Sequence, residues 1–195
     1  MSLRALEGGL ADPPRELSRI FRAALDAMAR PGRIAEIAGA RPPEGLSPAA
    51  GTLLLCLADL ETPVWLSSRL ATGGVGEWLV FHTGAPIAAE PGRAAFGVGV
   101  WDEIAPLSRW SWGEANYPDR SATLLVEMPA LDGASPRSLT GPGILGETSL
   151  AAPLPKDLLD DRAKLARAYP LGVDLFLTAG TRAVALPRTT RIGGH

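Results

Sequence analysis

Cysteine is almost missing from this 195-residue chain; Cys56 is the only one. One thiol excludes an intrachain disulfide and a thiolate metal cage. Flanked by Leu53, Leu54, Leu55 and Leu57, it reads as a small buried apolar residue in a reducing compartment. Histidine is limited to His82 and His195, and no ligand spacing links His82 to carboxylates, so no metal is expected. Lysine is limited to Lys156 and Lys164, both in a segment that reads as a solvated helix. That leaves no good Schiff-base lysine, and pyridoxal phosphate chemistry is disfavoured. No apolar run approaches the ~18 residues of a membrane helix. Residues 1–12 carry one arginine and no long apolar stretch, unlike a secretory signal. A cytoplasmic chain away from membranes is the resulting expectation. Net basic charge is absent too: the formal charge is −2 and the pI about 5.7. That disfavours nucleic-acid binding, which needs a basic face to displace counterions.

Catalytic signatures are also missing. No serine sits in a Gly-x-Ser-x-Gly elbow. Neither Gly73-Gly74-Val75-Gly76 nor Gly141-Pro142-Gly143 is followed by the Lys and Ser/Thr of a phosphate loop. The former has the form of a turn, or of a backbone nest for an anion. Gly97-Val98-Gly99 lacks the third glycine of a dinucleotide fingerprint.

What is present is arginine, alanine, glycine and proline. All but two of the 19 basic residues are arginine. Such a combination is what a GC-rich genome produces, so it decides nothing about anions by itself. The length suits one domain over 1–195 with a substantial core. Asp12 and Pro13 open a helix over 13–30, with Leu17, Ile20, Phe21, Ala24, Leu25 and Met28 on its apolar side. Ser47-Pro48 caps a second, deeply buried helix to about residue 60. Strands are expected at 64–66, 78–82, 94–100 and 123–128, with Gly97 and Gly99 admitting a close neighbour. Residues 139–144 read as a glycine-rich turn and 155–168 as a third helix. A β-hairpin spans 174–186. In the aromatic segment 101–117, Asp102 is a candidate cap. Trp110, Trp112 and Tyr117 suit either a lid or an interface anchor. The pattern implies an α/β fold: a mixed β-sheet with helices on its faces.

Three polar clusters lie at element junctions, where α/β proteins place sites. They are Asp59 with Thr62, His82 after an apolar run, and Asp174 with Arg188 at the two ends of the hairpin. Capping and turn formation are the plainer roles, and an Asp174–Arg188 ion pair clasping the hairpin is an equal alternative. As a binding set, His82 and Arg188 would donate to an anion or a partner carboxylate. Asp59 and Asp174 would orient them, and Thr62 would supply a hydroxyl. Such a role requires the five to converge in space.

Six segments, in order, carry a resemblance. They are 21–32 (FRAALDAMARPG), 57–67 around Asp59 and Thr62-Pro63-Val64-Trp65, and 81–86 (FHTGAP). They continue with 139–144 (LTGPGI), 169–175 (YPLGVDL) and 186–190 (LPRTT). Together they resemble PhnH, the H subunit of the bacterial carbon–phosphorus lyase system; 101–120 and the first ten residues carry no quotable match. The resemblance implies a role in alkylphosphonate catabolism. There the family, with the G, I and L subunits, supports transfer of a phosphonate to the ribose of ATP with loss of adenine. It implies a fold like the pyridoxal-phosphate-dependent transferases but without the cofactor. It also implies a homodimer in isolation, and a core complex with the G, I and J subunits. No catalytic residue carries over. The expectation is an accessory subunit not catalytic alone. Its rivals are a free-standing hydrolase or transferase of a small phosphorylated substrate, and a ligand-sensing domain.

Overall fold

Helix α1 (Pro13–Ala29) starts where the Asp12-Pro13 junction places it, but the carboxylate of Asp12 does not cap it. The first turn is closed in the other direction: the N–H of Asp12 donates to Glu16 at 2.8 Å. The computed structural model describes residues 7–193. In it α1 buries Ile20, Ala24 and Ala27. Phe21 and Leu25, expected on the buried stripe, remain 47% and 52% exposed. Helix α2 (Pro48–Leu57) is capped by Ser47, whose hydroxyl accepts the N–H of Ala50 at 3.1 Å. It is buried through Leu53 and Leu54, as its all-round apolar sequence requires.

The main sheet contains β1 (Ile34–Glu36), β2 (Val64–Leu66), β3 (Phe96–Val100), β6 (Thr123–Glu127), β9 (Asp174–Ala179) and β10 (Arg182–Leu186). Their order is β1-β10-β9-β6-β3-β2. The last four in that order are parallel; β10 alone runs the other way, antiparallel to both β9 and β1. The expected hairpin forms, with Ala179 opposite Arg182 and Leu175 opposite Leu186. Two smaller sheets complete the fold. One pairs β4 (Trp112–Glu114) with β5 (Tyr117–Ser121). The other holds β7 (Arg137–Thr140), β8 (Thr148–Leu150) and β11 (Arg191–Ile192). The mixed sheet with helices on both faces is thus observed.

Side-chain alternation sorts the sheet into two cores. Val98, Leu125, Phe176 and Ala185 face α1 and α2 with α4 (Val75–Thr83). Leu124, Val126, Leu175 and Leu177 face α5 (Trp101–Ile104) and α6 (Lys156–Leu165). Gly97 is needed in the second core. A Cβ there would lie 2.1 Å from the ring of Trp110. That ring is buried, meets Trp65 edge-on at 5.3 Å, and donates its N–H to Ile104 at 2.9 Å. Trp110 is therefore a core residue and neither a lid nor an interface anchor.

Other expectations need correction. Residues 78–82 are helical, inside α4, because Gly74 and Gly84 both adopt left-handed backbone and bracket one short helix. Five consecutive apolar-leaning residues carry no periodicity that separates strand from helix. Residues 139–140 end strand β7 before the glycine turn. Asp102 lies inside α5, whose cap position is Val100. The second helix ends at Leu57 and the third spans Lys156–Leu165, followed by a 3-10 turn at Ala166–Ala168.

Candidate functional site

The four parallel strands give the sheet an amino edge and a carboxyl edge. Two of the three polar clusters lie at the amino edge. Before β2, Thr62 Oγ1 donates to Asp59 Oδ1 at 2.9 Å, and the N–H groups of Asp59 and Glu61 close the turn at 2.7 and 2.9 Å. The Glu61 N–H, then the Thr62 hydroxyl, hold the Asp59 carboxyl below its ordinary range. At the start of β9, Asp174 meets Arg188. The guanidinium reaches Oδ2 at 2.6 Å and Oδ1 at 3.2 Å, and the Arg188 N–H reaches Oδ1 at 2.7 Å. The clasp across the hairpin ends is therefore real. Arg188 also donates to Pro118 O at 2.8 Å and to the Ser121 hydroxyl.

The third cluster is elsewhere. His82, in the last turn of α4, stacks edge-on to Trp78 and Phe81. Its Nε2 lies 3.4 Å from the carbonyl of Glu7, which also accepts the indole N–H of Trp78 at 3.0 Å. So the five residues form three groups rather than one. Strands β3 and β6 separate β2 from β9, which at ~4.8 Å per strand is on the order of 14 Å. The expected convergence does not occur, because each pair satisfies its own hydrogen bonds locally.

The carboxyl edge is built differently. Ser67 follows β2 and is buried; a Cβ on Gly99 would lie 2.6 Å from its Cβ. Glycine at 99 thus lets the chain after β2 close over β3. Glu127 ends β6 and accepts the N–H of Ser47 at 2.8 Å. Burial raises its carboxyl above the ordinary range, against the Ser47 and Thr178 hydrogen bonds that lower it. Glu103 of α5 accepts the N–H of Ser68 at 3.1 Å through Oε1, while its Oε2 is buried without a partner. Ser67, Arg69, Gly99, Glu103 and Glu127 line a recess of about 90 Å³.

Gly45 and Arg69 join this recess to an open groove of about 970 Å³. Arg41, Glu44, Gly73 and Gly74 line it, and Glu7 and Gly8 form one wall. The Gly8 carbonyl is held by the N–H of Arg41 at 2.8 Å. His82 and Trp78 therefore bear on this groove indirectly, by gripping Glu7. The side chains of Arg41 and Arg69 are exposed, and among the described residues neither forms an ion pair. Cations at the mouth and carboxyl groups within suit a ligand that is anionic at one end and carries hydroxyls at the other.

Sequence reasoning missed Arg41, Ser67, Arg69, Glu103 and Glu127. One signal was available: Glu127 closes the most confidently read strand, and ligands of open α/β sheets sit beyond strand carboxyl ends. Asp59-Thr62 and Asp174 lie at strand beginnings instead. Among the described residues, no group of His, Cys, Asp and Glu could hold a metal ion, and no helix is long and apolar enough to cross a membrane.

Comparison with known proteins extends these observations. The family model described as bacterial phosphonate metabolism protein (PhnH) matches residues 8–193. The chain is 40% identical over 190 residues to the alpha-D-ribose 1-methylphosphonate 5-triphosphate synthase subunit PhnH of Rhizobium meliloti (strain 1021), covering 95% of this chain and 94% of that protein. It is 33% identical over 87 residues to the putative C-P lyase subunit protein HtxG of Stutzerimonas stutzeri, covering 43% and 45%. With the match spanning both cores and both edges of the sheet, the chain belongs to the bacterial phosphonate metabolism protein (PhnH) family.

Proposed function

We propose that this chain is an accessory subunit of a carbon–phosphorus lyase core complex, not catalytic alone. It supports transfer of an alkylphosphonate to the ribose of ATP with loss of adenine. The observation that carries this reading is the 40% identity, over 95% of the chain, to a protein named as a synthase subunit. The reading includes a single domain acting in the cytoplasm, a homodimer in isolation, and assembly with the G, I and J subunits. One feature supports an assembled state. Phe21 and Leu25 of α1 and Phe81 of α4 are 47%, 52% and 48% exposed on the same face of the sheet. Large apolar side chains left in water favour burial against another chain.

The reading also includes a fold like the pyridoxal-phosphate-dependent transferases that has no use for the cofactor. Lys156 and Lys164 support it: their side chains are 92% and 76% exposed on α6, beside Asp160 and Asp161. A Schiff-base lysine needs a desolvated pocket to lose its proton, and neither has one. The test is direct. The purified chain, incubated with ATP and an alkylphosphonate, should release no adenine. Release should begin when the partner subunits are added, and those subunits should co-purify with it. Adenine release by the lone chain, after removal of contaminants, would overturn the reading.

A further inference from the structure

We propose that the groove and recess at the carboxyl edge bind a small hydroxyl-bearing phosphate ester, a sugar phosphate in chemical class. Its phosphoryl group meets Arg41 and Arg69, and its hydroxyls meet the carboxyl groups of Glu103 and Glu127. The inference deepens the subunit reading and rests on it for its setting.

Charge is the first argument. Arg41 and Arg69 line one groove, both exposed and neither in an ion pair among the described residues. Arg93, Arg167 and Arg191 are also exposed outside the ion pairs of the described residues, so what sets Arg41 and Arg69 apart is that they share one groove. Planar guanidinium groups bind phosphoryl oxygens in pairs of parallel hydrogen bonds. Glu7 and Glu44 share the groove, so it is not a general anion trap. A bare polyanion gains from the arginines and loses to the glutamates, whereas a sugar phosphate gives each a partner.

The second argument is the unmet acceptor. Glu103 Oε2 is buried without a donor, and a buried acceptor left without a donor is costly. The residue lines a recess of about 90 Å³. One water needs only ~10–15 Å³ of such space, so the recess has room for more than one hydroxyl-sized group. Glu127 lines the same recess, and burial favours its neutral form. The carboxyl oxygens of the two residues are acceptors for the hydroxyls of a diol.

Third, Arg69 lines both compartments. A ligand held at its phosphoryl end by Arg69 is therefore within reach of both compartments. This joins the two halves into one site.

Calorimetric titration of the full chain at neutral pH tests this, with ribose 5-phosphate, ribose and inorganic phosphate as probes. Ribose 5-phosphate should bind saturably, one per chain, at least tenfold more tightly than either other probe. Arg41→Ala and Arg69→Ala should each weaken it tenfold or more. Glu103→Ala should weaken ribose 5-phosphate and leave inorganic phosphate unchanged. Arg167→Ala, on an exposed turn away from the groove, should change nothing. Circular dichroism confirms that each variant is folded. The site is overturned if ribose 5-phosphate does not bind, or binds the two groove arginine variants as it binds the wild type. Co-purification with partner subunits separates the two proposals. Assembly without ligand binding removes this site and leaves the subunit reading; ligand binding without assembly does the reverse.

Discussion

Arg188 grips Asp174 with its side chain and its backbone at once: 2.6 Å from Nη2 to Oδ2, and 2.7 Å from the N–H to Oδ1. The two side chains are only 17% and 15% exposed. Removing one partner of such a pair strands the other charge. Arg188→Ala should therefore lower the unfolding free energy by about 3 kcal/mol, read as a lower urea midpoint. Because the pair lies at the amino edge, the variant should still bind ribose 5-phosphate at a temperature where it is folded. Loss of binding with the fold intact would restore Arg188 as a ligand residue.

Arg162 is a second keystone, and a more buried one. Its guanidinium donates to the carbonyls of Val173, Leu186, Pro187 and Thr190 at 3.2, 3.2, 2.6 and 3.1 Å. Burial, chiefly, pulls it down to about 10, with Arg188 adding to the fall and Asp174 opposing it. It therefore stays charged at neutral pH. Arg162→Met fills the space but leaves four acceptors unmet. A loss of about 3 kcal/mol or more is expected from that desolvation. A denaturant midpoint equal to wild type would contradict it.

Glu127 makes stability depend on pH. Its carboxyl is raised in the folded state by burial, from an ordinary value of 4.5. A raised folded value means that the native state holds its proton more tightly than the unfolded chain does. Its contribution is thus fully present below about 4.5 and is lost as pH climbs through the raised value. Glu127→Gln cannot titrate. Urea unfolding from pH 4 to pH 8 should show the variant gaining on the wild type as pH rises, then running parallel. A difference independent of pH would refute the assignment.

Gly97 tests the second core. An alanine Cβ would meet two Trp110 ring atoms at 2.1 and 2.3 Å, and Leu124 at 2.9 Å. The indole is held by its hydrogen bond to Ile104 and cannot swing aside freely. Gly97→Ala should cost about 2 kcal/mol and change the near-ultraviolet circular dichroism of Trp110. An unchanged spectrum and stability would mean that the strand and indole are less tightly packed than described.

How much of this was legible beforehand depends on the range of the forces involved. Ser47 caps α2 because a serine before a proline offers its hydroxyl to the next turn. The hairpin at Asp174–Ala179 and Arg182–Leu186 forms from two β-rich runs around a glycine turn. Thr123–Glu127 reads as a strand from composition. All of these are settled within a few residues. The strand expected at 78–82 is helix instead, because a short apolar run is ambiguous until its surroundings choose. The place of Trp110 is not legible from its own segment, because Gly97, thirteen positions earlier, is what admits its ring.

By itself, then, the amino-acid order determined the class of fold, the scarcity of lysine, and the ordered segments that mark the family. Each depends on residue identity and local spacing. Only the tertiary structure decided which junctions face each other. Glu127 meets Ser47 across 80 positions, and Glu103 meets Ser68 across 35, because parallel pairing brings distant strand ends to one edge. That edge carries the unpartnered Glu103 Oε2 and, in the adjoining groove, Arg41 and Arg69. Sequence separation holds no record of such a meeting, since it arises from sheet order and not from neighbours along the chain.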